Sequence, residues 1–189
     1  MTTVPYPIES ERVIMRLPTS ADVDAILRFY VENEPHLAPY EPAKPPEFYS
    51  AYYWEARVRA VREEFRHDRA MRCFLFLRDR PETVIGAANF SAFLRGAAHS
   101  CQLGYALAAS AEGNGYMTEI LPLACRYVFD ELGMHRIQAS YMPHNQRSGK
   151  LLRRLGFVVE GYARDYLLIA GKWEDHVLTS LTNPNWAPR

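Results

Sequence analysis

Residues 110–119, SAEGNGYMTE, set two glycines two positions apart between an apolar strand-like run, CQLGYALAA (101–109), and a run in which Met117, Ile120, Leu121, Ala124 and Val128 recur at helical spacing. With the strand-like RIQASYM (136–142) that follows, the stretch reads as strand, glycine turn, helix, strand: a βαβ unit. Backbone N–H groups at a helix start carry partial positive charge, and glycine lets an anion approach them, so this loop is shaped for phosphate or is an ordinary turn. A Walker loop is excluded, because no lysine follows the glycines. The dinucleotide fingerprint fits poorly as well. Thr118 stands where its third glycine belongs, and the next strand ends YMPHN (141–145) without the acid that would hold ribose hydroxyls.

Outward from the loop, the chain reads as an α+β order. RVIMRL (12–17) alternates like a strand, and Thr19 and Asp22 pair as a cap before a helix carrying Val23, Ile26, Leu27 and Tyr30. The five prolines of residues 33–47 predict an irregular loop joining that helix to a second, charge-rich one over 52–68. Residues 71–79 and 82–109 give three successive strands, parted by RDRPE (78–82) and by a turn near Arg95-Gly96. After the βαβ unit, in whose helix Pro122 is expected to cause a kink or cost one hydrogen bond, come a helix over 145–157 and a strand pair around Gly171-Lys172. The tail TNPNWAPR (182–189) reads as irregular.

At 189 residues, 48% hydrophobic and 23% charged, the expectation is a single domain, 1–189. Twenty-two basic and twenty-two acidic residues cancel, leaving no global field for nucleic acid or an anionic membrane. Cys73, Cys101 and Cys125 are odd in number and widely spaced, as in a reducing compartment. With no signal pattern and no apolar run of membrane-spanning length, a cytoplasmic location is expected. No metal-ligand spacing occurs, so no metal is expected.

After the glycine loop and one strand come Asn145, Ser148 three residues on, and LGF (155–157) closing the helix. The pattern resembles the GCN5-related N-acetyltransferase (GNAT) superfamily, whose coenzyme A loop reads Q/R-x-x-G-x-G/A and whose next helix often reads N-x-x-A/S-x-x-L-x-x-x-G-F. The stretches GAANFSAFLRGAAHSCQLGY (86–105), HRIQASYMPHNQRSGKLLRRLGF (135–157) and EGYARDYLLIAGKWEDHVLTSL (160–181) are similar to its branch that acetylates the N-terminal alanine of a small-subunit ribosomal protein.

The resemblance implies a mixed, splayed sheet flanked by helices, with acetyl-CoA as cosubstrate. The pantetheine arm would pair with Tyr105, Ala106 and Leu107, and the diphosphate would lie on Gly113, Asn114, Gly115, Tyr116, Met117 and Thr118. Asn145 would contact the arm while capping its helix, and Ser148 would serve the departing thiolate. Ser110 replaces the usual Gln or Arg of the loop, and Glu112 puts a carboxylate beside the expected anion. The tyrosine many relatives use as general acid, four residues beyond Ser148, is here Leu152. The Glu that others use as base corresponds to Ser140, leaving water, His144, Tyr141 or Asp165 to collect the proton.

Weak base machinery suits an α-amine, with a pKa of about 7.7–8.0, better than a lysine at about 10.4. The acceptor wall implied by the resemblance is the loop over 36–47, where Glu41 and Glu47, with Glu34 just before it, would attract a basic ribosomal tail. Without a cysteine in the motifs, direct ternary-complex transfer is expected. Two rivals stay open at this point: a non-catalytic protein that binds a ribosome precursor, and an acetyltransferase for a small amine.

Overall fold

The computed structural model describes residues 7–187. Among the described residues eight strands form one sheet: β1 (Ile8–Glu9), β2 (Val13–Arg16), β3 (Met71–Leu77), β4 (Arg80–Leu94), β5 (Ser100–Leu107), β6 (Arg136–Tyr141), β7 (Val158–Ile169) and β8 (Lys172–Thr182). Their spatial order is β1-β2-β3-β4-β5-β6-β8-β7, and every pairing is antiparallel except β5 with β6. That exception follows from the crossover helix that the glycine loop begins, since parallel neighbours need a long connection.

Helices α1 (Val23–Glu32) and α3 (Ala51–Arg66) cover one face of the sheet, and α4 (Tyr116–Asp130) the other. Strand β3 records both contacts: the Phe74 ring packs against Tyr30 of α1 and Trp54 of α3, while Cys73, one residue earlier, faces Tyr127 of α4. Nearly every β3 side chain is therefore buried. All three cysteines are free and buried. The predicted cap at Thr19 forms, with the Asp22 carboxylate accepting from the Thr19 N–H and hydroxyl and from the Arg16 guanidinium.

Two expectations need correction. The proline-rich loop is not wholly irregular: it holds a single helical turn, α2 (Glu34–Leu37), and 3₁₀ turns at Ala38–Tyr40 and Pro46–Tyr49. Pro35, Pro39 and Pro46 occupy first-turn positions, where a missing N–H costs nothing. The turn between β3 and β4 is tighter than RDRPE, with Leu77 opposite Arg80; Pro81 falls in the bulge before Val84 meets Phe76, so no ladder bond is lost. Pro122 lies inside α4 on the solvent side; the helix runs unbroken from Tyr116 to Asp130, and the proline offers no N–H to the Thr118 carbonyl. The tail beyond β8 is irregular as expected, and it is anchored: Trp186 donates from Nε1 to the Gly133 carbonyl and its ring meets His99 and His135. The outermost residues of the expected 1–189 domain, 1–6 and 188–189, lie outside the described residues. Between α4 and the last hairpin runs α5 (Gln146–Arg154).

Candidate active site

Strands β5 and β6 pair only at Ser100–Arg136, Cys101–Ile137 and Gln102–Gln138. Beyond that point β5 stays with β4 as far as Leu107, and β6 stays with β8 as far as Tyr141. The two strands diverge, leaving the β5 edge over residues 103–107 without a strand partner on the β6 side. A cleft of about 810 Å³ opens there. Tyr105, Ala106 and Leu107 line it from β5; Gly113, Gly115, Tyr116, Met117 and Thr118 from the start of α4; and Asn145 and Ser148 from α5. Of the residues expected to hold the cofactor, only Asn114 is not part of the lining; of the expected acceptor wall, Glu41 lines the cleft and Glu34 and Glu47 do not. The Asn114 side-chain amide donates to the Ala111 and Glu112 carbonyls and braces the loop from beneath.

The two glycines are there for their backbone: Gly113 has φ +78° and Gly115 φ +81°, a region that L side chains avoid. Gly115 is the N-cap of α4 and offers no side chain to it, so the first-turn N–H groups stay open toward the cleft. A residue far away in sequence fixes this end. Arg12, in the β1–β2 turn, donates from its backbone N–H and Nε to the Glu119 carboxylate, each at 2.8 Å, and from Nη2 to the Asn114 carbonyl at 3.1 Å. Its guanidinium also stands 4.8 Å over the Tyr116 ring. Burial pushes the Glu119 carboxyl up, but hydrogen bonds from Ser10 and Arg12 outweigh it and hold the group below the usual carboxylate range.

The carboxylate of Glu112 does not confront the open amides as a free charge. It is ion-paired with Arg147 of α5, and His36 Nε2 of α2 approaches it at 3.4 Å. Arg147, Lys150 and Arg154 line the cleft from one face of α5. A chain of zero net charge thus gathers cations at its cleft, a feature that motif reading passed over although the 147, 150, 154 spacing was visible. At the other end the cleft is bounded by Leu37, Tyr40 and Glu41, and the Ala170 N–H of the β7–β8 hairpin donates to the Glu41 carbonyl at 3.0 Å.

Asn145 caps α5, its Oδ1 accepting the Ser148 N–H at 3.1 Å. Ser148 Oγ lies 2.7 Å from the Tyr105 hydroxyl. Burial pushes the Tyr105 phenol up to about 12, against the lowering effect of its bond to Ser148. Leu152 is 1% exposed and belongs to the core, so its position does not face the cleft.

The other proton-acceptor candidates are scattered. The His144 ring lies 6.2 Å from that of Tyr40, beside the proline-rich loop. The Tyr141 ring fills the space where a Cβ on Gly149 would stand, at 2.7 Å, which is why α5 carries a glycine there. Asp165 has φ +46° in the bulge of the hairpin and donates its N–H to Asp175, a turn role. Ser140 sits in β6 opposite Leu178. Among the described residues no group of three or more His, Cys, Asp or Glu side chains is placed to hold a metal ion, and no helix is long and apolar enough to cross a membrane.

A splayed β5–β6 pair with an uncapped glycine-led helix at its mouth is a recognisable architecture, and an acetyltransferase (GNAT) domain model matches residues 12–158. The chain belongs to this family, and its mixed α+β sheet is the family's fold. It is similar to [Ribosomal protein uS5]-alanine N-acetyltransferase of Escherichia coli (strain K12), 44% identical over 181 residues, 96% of this chain and 93% of that protein. Among solved structures it resembles the ribosomal-protein-S5-alanine acetyltransferase from Vibrio fischeri, with TM-score 0.93, 34% identity, and coverage of 97% and 100% of the two chains. It also resembles Mycobacterium smegmatis RimJ in complex with CoA-disulfide, with TM-score 0.84, 29% identity, and coverage of 90% and 81%.

Proposed function

We propose that this chain, acting as one domain over 1–189, transfers acetyl from acetyl-CoA to the N-terminal alanine α-amine of a small-subunit ribosomal protein, the counterpart of uS5, in the cytoplasm. The observation that carries the reading is the wedge itself: an unpartnered β5 edge leads to open helix-start amides, with a serine hydroxyl between them. An extended amide-bearing arm pairs with such an edge as an added strand, and a diphosphate suits the amides. The acceptor follows from the extended similarity to the E. coli enzyme.

In this reading Tyr105, Ala106 and Leu107 hold the pantetheine, while the amides near Gly113, Gly115, Tyr116, Met117 and Thr118 take the diphosphate with help from Arg147 and Lys150. Asn145 fixes the start of α5 against the arm, and Asn114 shapes the loop from below. Ser148 supports the sulfur as it leaves. The amine attacks the acetyl carbonyl directly, because the three cysteines are buried and out of the site. No protein base is required for an amine that is partly neutral near pH 7.

The test uses purified protein, acetyl-CoA and two peptides of a basic small-subunit ribosomal protein, one with a free N-terminal alanine and one N-blocked with free lysines. Mass gain on the free α-amine alone is expected. Label on lysines would overturn the acceptor, and no label on either peptide would favour the non-catalytic or small-amine readings.

A further inference from the structure

The expected part of Tyr105 is played by its backbone, along the strand edge; its side chain has a separate place in the site. The ring spans the wedge from β5 to α5, and its hydroxyl stands 2.7 Å from Ser148 Oγ and 3.4 Å from the Ser148 carbonyl oxygen. Either hydroxyl can donate across the 2.7 Å contact; with the phenol as donor, its proton goes to Ser148 Oγ, the nearer of its two acceptors. Serine has a single O–H. With an Oγ lone pair engaged by Tyr105, that O–H is released to point into the cleft. Burial keeps the phenol protonated throughout the neutral range, so it remains a donor.

We propose that Tyr105 is a positioning residue for acyl transfer, holding Ser148 Oγ so that the serine proton is presented to the sulfur of the thioester. The inference rests on the acetyl-CoA reading above. In the step, the amine nitrogen bonds to the acetyl carbon, the C–S bond breaks, and its electron pair passes to sulfur. The surplus amine proton leaves to water, which later protonates the thiolate. Ser148 and Tyr105 keep their protons, because an alcohol and a buried phenol are both weaker acids than a thiol, which ordinarily titrates at about 8.5. They stabilise the charge through a donated hydrogen bond, the kind worth most when its acceptor is ionic. A tyrosine hydroxyl, absent from position 152 of α5, thus reaches Ser148 from strand β5 instead.

Free-thiol release from acetyl-CoA, with and without the alanine peptide, is measured for wild type, Tyr105→Phe, Ser148→Ala and the double variant. For Tyr105→Phe the expected result is a kcat lower by about tenfold, with the KM for acetyl-CoA unchanged and the melting temperature lower by about 2–4 °C at most. The double variant should be no slower than Ser148→Ala. A Tyr105→Phe rate within about twofold of wild type, or losses that multiply in the double variant, overturns the proposal.

A near-isosteric difluorotyrosine at 105 serves if Phe perturbs folding. Its more acidic phenol should move the basic limb of the kcat profile to lower pH, and an unmoved limb is the contrary result. If wild type releases thiol to water but leaves the peptide unmodified, the acceptor reading alone fails and the same comparison still judges Tyr105. Absence of any thiol release overturns both.

Discussion

The two ends of the cleft are made of different material. At the proposed coenzyme A end, the groups on offer are main-chain ones: the open edge of β5 and the first N–H groups of α4, set by two glycines at positive φ. At the proposed acceptor end, the wall is a proline-rich connection pinned to the β7–β8 hairpin through the Ala170–Glu41 bond, and the hairpin exposes Tyr162, Leu167, Leu168 and Trp173. A cofactor shared by many enzymes is met by backbone geometry that few residue choices can supply. An acceptor is met by side chains on a scaffold that tolerates many choices. Asn33 ties the two ends together: it ends α1, donates to the Phe29 carbonyl, and accepts the Ala109 N–H at 2.9 Å just before the glycine loop.

The hardest test of this contrast is Gly113→Val with Gly115→Val. Two β-branched residues in a left-handed region cost roughly 1–2 kcal/mol each, so coenzyme A affinity by calorimetry should fall about a hundredfold. Peptide binding should hold, and a cofactor affinity that survives would break the backbone account. Asn33→Ala comes next, because it leaves the Ala109 N–H without its partner. Unfolding in urea should show a loss of about 1–3 kcal/mol, with the KM values for acetyl-CoA and peptide rising together. If only one of them rises, Asn33 belongs to that end alone.

Acid sharpens the comparison further. Burial pushes the Asp22 carboxyl up, but Arg16 and the Thr19 donors outweigh it and hold it below the unfolded value. The stabilisation is complete above an unfolded pKa of about 3.9 and is lost as pH falls through the folded value. The melting temperature should therefore drop below about pH 4, and Asp22→Asn should flatten that slope while leaving coenzyme A affinity at pH 7 unchanged.

Arg12→Ala removes an exposed clamp and should weaken coenzyme A about threefold without changing peptide KM. The smallest effect is expected for Glu41→Gln, about a twofold rise in peptide KM that vanishes at high salt. An equal rise in the KM for acetyl-CoA would show that the two ends are not separable.

Much of the site was legible because its determinants are local. The glycine pair, the Asn145–Ser148 cap and the stripe of α4 each lie within one turn or one helix, so spacing alone exposes them. The Glu112 carboxylate looked hostile to an anion for the same reason, since its partners Arg147 and His36 come from other elements. The proline loop reads as irregular by composition, whereas it is the helical position each proline takes that decides whether a turn can form.

The sequence by itself determined the α+β order, the crossover around residues 110–119, and the glycine pair and Asn145 cap that border the cleft, since periodicity, caps and positive-φ glycines act over a few residues. Only the tertiary structure decided that Tyr105 meets Ser148, 43 residues away, that Arg12 clamps Glu119 across 107, and that Asn33 holds Ala109 across 76. Such pairs form when strand order and helix packing bring distant segments together, and no periodicity within either segment encodes the partner.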